Sequence, residues 1–212
     1  MKCWKKCQAI GLGVLFMALV LSNPAGAINL SFVAQDSEIQ VGDQISIDIV
    51  VSELDDYVIA GFDFFVNFDD SILDFNSYVL GEGLGDLSLF DSNGDPIEAE
   101  DWSELNGVPA YTLGSGQIHL AEFSWLLEDA LASLQGDPSF TLATILLTGS
   151  GVGYSELSFS SEIAGEFCGA NIPVTPYQGS VDVSAVPEPS TCLLLGFGLL
   201  AMIGLRKKFS KT

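Results

Sequence analysis

The sequence predicts an all-β protein, an antiparallel sandwich carried between two short apolar ends. Three observations predict it. The interior alternates apolar and polar residues with a period of two. Clusters of Gly, Asp and Asn interrupt that alternation at short intervals. All seven Lys and Arg residues sit at the termini, beside two short apolar runs.

The chain opens with Lys2, Lys5 and Lys6, followed by the apolar run from Ala9 to Leu21 and by Pro24-Ala25-Gly26-Ala27. A cationic start, a short greasy segment and small residues at Ala25 and Ala27 predict a signal peptide over 1–27, cleaved after Ala27. An uncleaved anchor is the alternative reading. Cys3 and Cys7 precede the apolar run and would leave with it.

The predicted domain runs over 28–184. In "QISIDIVVS" the residues Ile45, Ile47, Ile49 and Val51 share one face of a strand. In "GFDFFVNF" Phe62, Phe64, Val66 and Phe68 do the same, opposite Asp63, Phe65 and Asn67. "SFTLATILLTG" and "YSELSFS" continue the pattern with β-branched residues. Between Trp125 and Gln135, the spacing of Leu127, Leu131 and Leu134 predicts one short helix. The 48% apolar content supplies a core and excludes a disordered acidic chain.

Between Cys7 and Leu205 there are 28 acids and no Lys or Arg. Such a surface repels phosphate backbones, so nucleic acid is excluded as a partner. It also excludes Lys or Arg as a central catalytic group.

The tail from 185 to 212 joins three parts: Val186-Pro187-Glu188-Pro189-Ser190, an uncharged run from Thr191 to Leu205, and Arg206-Lys207-Lys208. At 1.5 Å per residue the run reaches about 22 Å, short of the ~30 Å hydrocarbon core. The cations favour the cytoplasmic side, which places the domain outside. This order and spacing resemble a PEP-CTERM sorting tail. The resemblance implies recognition by a membrane-embedded exosortase at Pro187, Glu188 and Pro189, after transient anchoring by a short transmembrane helix. It also implies delivery to the cell envelope or the exterior. A plain C-terminal anchor is the alternative.

The stretch "SEIQVGDQISIDIVVSELDDYVIAGFDFFVNFDDSILDF" resembles a cohesin module. It has a Gly42-Asp43 turn before an alternating strand, a Gly61-Phe62 strand, and the corner Phe68-Asp69-Asp70-Ser71-Ile72-Leu73. "LATILLTGSGVGYSELSFS" and "GSVDV" resemble that family's late strands, while Val79 to Tyr111 departs from it. The resemblance implies a nine-stranded jelly-roll sandwich related to carbohydrate-binding modules, which binds a protein partner.

No catalytic constellation stands out. His119, the single histidine, sits in "QIHLAEF" at a position expected to face solvent, and no G-x-S-x-G elbow accompanies it. Cys168 is the one thiol of the domain and is read as a small buried hydrophobe or an intermolecular link. With 28 acids, nothing selects a glycosidase pair. Asp91, Asn93 and Asp95 are candidate calcium ligands at 1, 3, 5 spacing, with Glu98, Glu100 or Asp101 near them. Pro96 and Trp102 break the EF-hand pattern at its sixth and twelfth places. The alternative is an exposed hairpin turned at Asn93-Gly94. Trp102 and Tyr111 are candidate ligand-binding rings, with Phe65 and Trp125 also expected near the surface. The functional expectation is therefore an exported, non-enzymatic binding module. Its ligand is a protein or, alternatively, a matrix polysaccharide; a glycoside hydrolase is the least favoured reading.

Overall fold

A computed structural model of the chain describes residues 26–186, apart from 56, 105–108, 113–114 and 167–168. Ala25, Pro187, Glu188, Pro189, Arg206, Lys207, Lys208 and Cys168 lie outside the described residues, whereas Ala27 directly precedes the first strand.

The strands are β1 (Ile28–Ala34), β2 (Glu38–Gln40), β3 (Gln44–Ser52), β4 (Ile59–Asn67), β5 (Leu73–Leu80), β6 (Ala99–Asp101), β7 (Gln117–Ser124), β8 (Ser139–Gly149), β9 (Gly153–Glu166), β10 (Asn171–Ile172), β11 (Val174–Pro176) and β12 (Gly179–Ser184), with one helix, α1 (Glu128–Leu134). They form two sheets. One has the order β11-β1-β3-β8-β5; the other has the order β2-β12-β9-β4-β7-β6, with β10 on β9.

Between the sheets lies one core whose members run from Ile28 to Val183. The predicted inward sets are buried: Ile45, Ile47, Ile49 and Val51 on β3, and Phe62, Phe64 and Val66 on β4 with Phe68 just beyond it. Phe32 stacks on Phe159, centroids 4.0 Å apart, and Phe64 meets the edge of Phe159. Among the described residues every member of this core lies within 28–184, a span of domain size.

Two features depart from the sequence expectation. The resemblance implied nine strands, and the described residues form twelve, four of them only two or three residues long. Nor is the pairing wholly antiparallel: β1 pairs in parallel with β11, and β2 with β12. The opening segment passes from one sheet to the other between β1 and β2, and the closing segment makes the same passage between β11 and β12. The two run side by side in one direction, which forces parallel pairs at the shared margin.

The helix falls where expected, but only Leu131 is buried; Leu127 and Leu134 are exposed. Leu127 precedes the helix in extended conformation, so its side chain leaves the face that the spacing assigned to it.

Local turns follow their residue types. Gly42, at φ +94°, makes the bend into β3, where Asp43 accepts a hydrogen bond from Gln40 N–H at 3.0 Å. At the Phe68–Leu73 corner, Asp69 accepts from Ser71 N–H and Ser71 O–H, which lowers its carboxyl pKa.

A bulge in β9 positions the site. Phe65 pairs with Ser160 and Asp63 with Ile163, so Ser161 and Glu162 together oppose Phe64 alone. Ser161 takes a left-handed φ of +58°. Before the bulge Ser155 and Leu157 point inward; after it Ala164 does. The shift in parity turns Ile163 and Gly165 outward.

Candidate binding face

The outward surface of β9, β4, β7 and β6 forms ordered rows. Cross-strand pairing aligns Gly165, Gly61, Phe123 and Glu100 in one row. The next holds Ile163, Asp63 and Ala121, to whose carbonyl the Trp102 N–H donates at 2.9 Å. Then come Ser160, Phe65 and His119, and last Ser158, Asn67 and Gln117.

The last row is a polar lattice. Asn67 Nδ2 donates to the Ser158 carbonyl and to Ser160 Oγ, while Gln117 Nε2 donates to Asn67 Oδ1 at 2.8 Å. The first two rows carry aromatic and apolar side chains, with Glu100 and Asp63 among them. Trp102 stacks on Phe123 at 5.6 Å, and Trp125 meets Phe123 edge-on at 5.0 Å. Trp102, Trp125 and Ile163 are 37%, 51% and 51% exposed. Burying such rings against water is the main driving force available to this face.

A groove with about 240 Å³ of free volume runs through the first two rows, between Trp102 and Phe123 on one side and Ile163 and Asn171 on the other. Asp63 and Glu166 also line it. A second hollow of about 390 Å³ lies beyond Phe65 and His119, with Ser103 and Gln117 in its wall.

His119 corrects the expectation of a solvated strand residue. Its side chain is only 23% exposed, its ring sits 4.8 Å from that of Phe65, and both nitrogens are engaged. Nδ1 lies 3.0 Å from the Ser103 carbonyl oxygen and Nε2 3.0 Å from Asp63 Oδ1. Both partners are acceptors, so a ring N–H directed at either one donates to it. Ser103 Oγ donates to the Ala121 carbonyl and accepts from Ala121 N–H, so it is held by backbone and is not poised against His119. The three side chains do not form a nucleophile–base relay.

The structure does not bring the two candidate rings together. Tyr111 lies 4.8 Å from Phe75 and 6.0 Å from Phe68, packed on the core, whereas Trp102 lies on the open face. Asp91 serves its own turn: it accepts from the N–H groups of Asn93 and Asp95 and from Asn93 Nδ2, which lowers its pKa. Phe90 and Pro96 bridge across this turn and Gly94 has a φ of +88°. Asp95 stands in the same turn, and Glu98 accepts from Asp86 N–H. Among the described residues no three acidic, His or Cys side chains gather as a metal site. Among the same residues no helix is long and apolar enough to cross a membrane.

Sequence reasoning missed Glu122. It lies on the inward side of β7, paired with Asp101 of β6, is 2% exposed, and has no hydrogen-bond partner on either carboxyl oxygen. Burial, with the nearby Asp101 charge second, pushes its pKa up to about 8. Asp101 accepts a 2.8 Å hydrogen bond from Tyr78 of β5, which ties the margins of the two sheets. Burial and this hydrogen bond raise the Tyr78 pKa as well. "QIHLAEF" held a signal for it: Ile118, Leu120 and Glu122 share a parity.

Strand order, parallel closing margins and an uncovered sheet face define a two-sheet module of the cohesin type, and solved structures agree. A type I cohesin–dockerin complex from Clostridium thermocellum matches with TM-score 0.54 and 15% identity, covering 75% of this chain and 100% of that chain. The third ScaC cohesin of Acetivibrio cellulolyticus, in complex with the ScaB dockerin, matches with TM-score 0.54 and 16% identity over 74% of this chain and 98% of that chain. A cohesin module from a Clostridium perfringens family 33 glycoside hydrolase gives TM-score 0.53 and 12% identity over 76% and 100%. Residues 185–208 match the PEP-CTERM protein-sorting motif. No curated protein matches the chain in sequence. The chain thus joins a cohesin-like sandwich to a PEP-CTERM sorting motif.

Proposed function

We propose that the chain is an exported, non-enzymatic module that docks a protein partner on the outer face of β9, β4, β7 and β6. Its tail is processed by an exosortase at the cell envelope. One observation carries the docking reading: Ile163, Trp102, Phe123 and Trp125 stand in adjacent rows on an uncovered sheet face. Partly exposed aromatics over a flat, backbone-stiff platform are the usual anchors of protein interfaces. The sorting motif at 185–208 supports export, and the dockerin complexes of the structural neighbours support a protein ligand. His119 held by Asp63 and a backbone carbonyl supports the non-enzymatic part. The second reading, a polysaccharide stacked on Trp102 and Trp125, rests on the same exposed indoles.

The test is capture from the native secretome on immobilised 28–184. Ile163→Asp is expected to lose the captured protein, whereas Val79→Asp, exposed on the other sheet, retains it. The opposite pattern refutes the assigned face. Retention on a polysaccharide column that falls on Trp102→Ala favours the second reading.

A further inference from the structure

We propose that the groove between Trp102 and Ile163 seats an arginine or lysine side chain, so the docked protein presents a basic segment there. This rests on the protein-docking reading and names the chemistry of its partner.

The groove exists because three positions lack side chains. Gly61 and Gly165 face each other across β4 and β9, and Gly169 borders them. A Cβ on Gly165 would have only the Ala170 carbonyl within contact range, at 3.9 Å. The floor is open to an incoming side chain at Gly165, while at Gly61 the Glu122 carbonyl at 3.1 Å and the Phe123 ring at 3.3 Å already border the Cβ position. The walls are apolar where a hydrocarbon stem would lie, along Phe123 and Ile163, and aromatic at Trp102, which lines the groove while stacked on Phe123.

Charge selects the occupant. Asp63, half exposed, and Glu166 line the groove, and the chain has no Lys or Arg between Cys7 and Leu205 to neutralise them. His119 meets Asp63 from the far side, through Oδ1. An apolar occupant would strip water from Glu166 and from the Asp63 oxygen that His119 does not meet, and offer neither a partner. An anionic one would be repelled by the whole domain. A guanidinium or ammonium group satisfies both acids and lies against the ring.

The probe is a short peptide with two arginines between glycines, together with its citrulline twin, which keeps the shape and loses the charge. Every described core member lies within 28–184, and the two tryptophans of that segment, Trp102 and Trp125, both lie on this face, so their fluorescence reports binding. The arginine peptide is expected to bind and the citrulline peptide not to. Gly165→Phe fills the groove at unchanged charge, and Asp63→Asn with Glu166→Gln removes two charges; each is expected to weaken binding about tenfold or more. Asp69→Asn with Asp70→Asn removes two charges elsewhere and is expected to change affinity less than about twofold. Equal weakening by the two charge pairs, or no effect of Gly165→Phe with a native circular dichroism spectrum, overturns the proposal. Partner capture separates the two readings. A partner lost on Ile163→Asp without peptide binding keeps the docking face and overturns the cation seat. Peptide binding blocked by Gly165→Phe, with a partner indifferent to Ile163→Asp, supports the seat and overturns the docking reading.

Discussion

Replacing Glu122 by Gln isolates the energetic consequence of a carboxyl group sealed into the sandwich. Both oxygens lack hydrogen-bond partners, and burial lifts the pKa from 4.5 to about 8. Below pH 4.5 folded and unfolded chains both hold the proton, and the group does not affect stability. Between 4.5 and about 8 the folded chain keeps the proton that the unfolded chain releases. The folded state then binds more protons, so unfolding free energy falls as pH rises. Above about 8 both states are ionised and the full cost of a buried charge is present. At about 1.4 kcal/mol per pH unit the shift sets a ceiling of roughly 5 kcal/mol, of which relaxation around β6 recovers a part. Acids remote from Glu122 contribute equally to both proteins, so the difference between the two removes their background. Urea unfolding of 28–184 at pH 5, 7 and 9 is the assay. Wild type is expected to lose on the order of 2 kcal/mol or more relative to the variant between pH 5 and 9, which moves the midpoint by about 1 M urea. A difference that stays constant across this range, or that grows in favour of wild type at pH 9, refutes the reasoning.

Gln135 bridges Ile59 N–H, the Ile59 carbonyl and the Gly83 carbonyl in buried surroundings, so Gln135→Ala is expected to destabilise by about 2–4 kcal/mol in chemical denaturation. Ile47, fully buried in the centre of β3, is expected to cost about 2–5 kcal/mol on replacement by Ala, read in the same way. Ser161 sits at a left-handed φ in the β9 bulge, so Ser161→Gly is expected to be neutral or slightly stabilising, and Ser161→Val destabilising by about 1–3 kcal/mol.

What the sequence revealed and what it hid have separate physical origins. Alternation is a local property, so the inward faces of β3 and β4 were legible from "QISIDIVVS" and "GFDFFVNF", and the Gly42-Asp43 bend from its residue types. The groove was not legible. It depends on Gly61, Gly165 and Phe123 meeting across β4, β9 and β7, and that register is fixed by a bulge at Ser161 and Glu162 that no alternation announces. Trp102 and Tyr111 looked alike in sequence because both fall in the irregular middle segment. Only the pairing of β6 with β7 leads Trp102 to the open face, while Tyr111 bridges to Ile118 and packs on the core. The parallel margins were hidden for the same reason, since strand direction in a sheet is a tertiary property.

The topology makes one further prediction about orientation. The described chain leaves β12 at Ser184, whose carbonyl accepts from Val41 N–H, and the neighbouring Val183 pairs with Gly153 at the start of β9. The groove lies at Gly165, near the other end of the same strand. Twelve steps of about 3.3 Å put it roughly 35–40 Å from the tail exit. If the C-terminal run holds the chain at a bilayer, this separation is expected to keep the groove at the pole away from it. Single cysteines at Val152 and Ile163, both more than half exposed, allow this to be read with a fluorophore and a headgroup-attached quencher. The label at 152 is expected to be quenched in proteoliposomes of the full chain and the label at 163 to remain bright. Equal quenching at both positions would mean that the domain lies flat, with its docking face no more available than its sides.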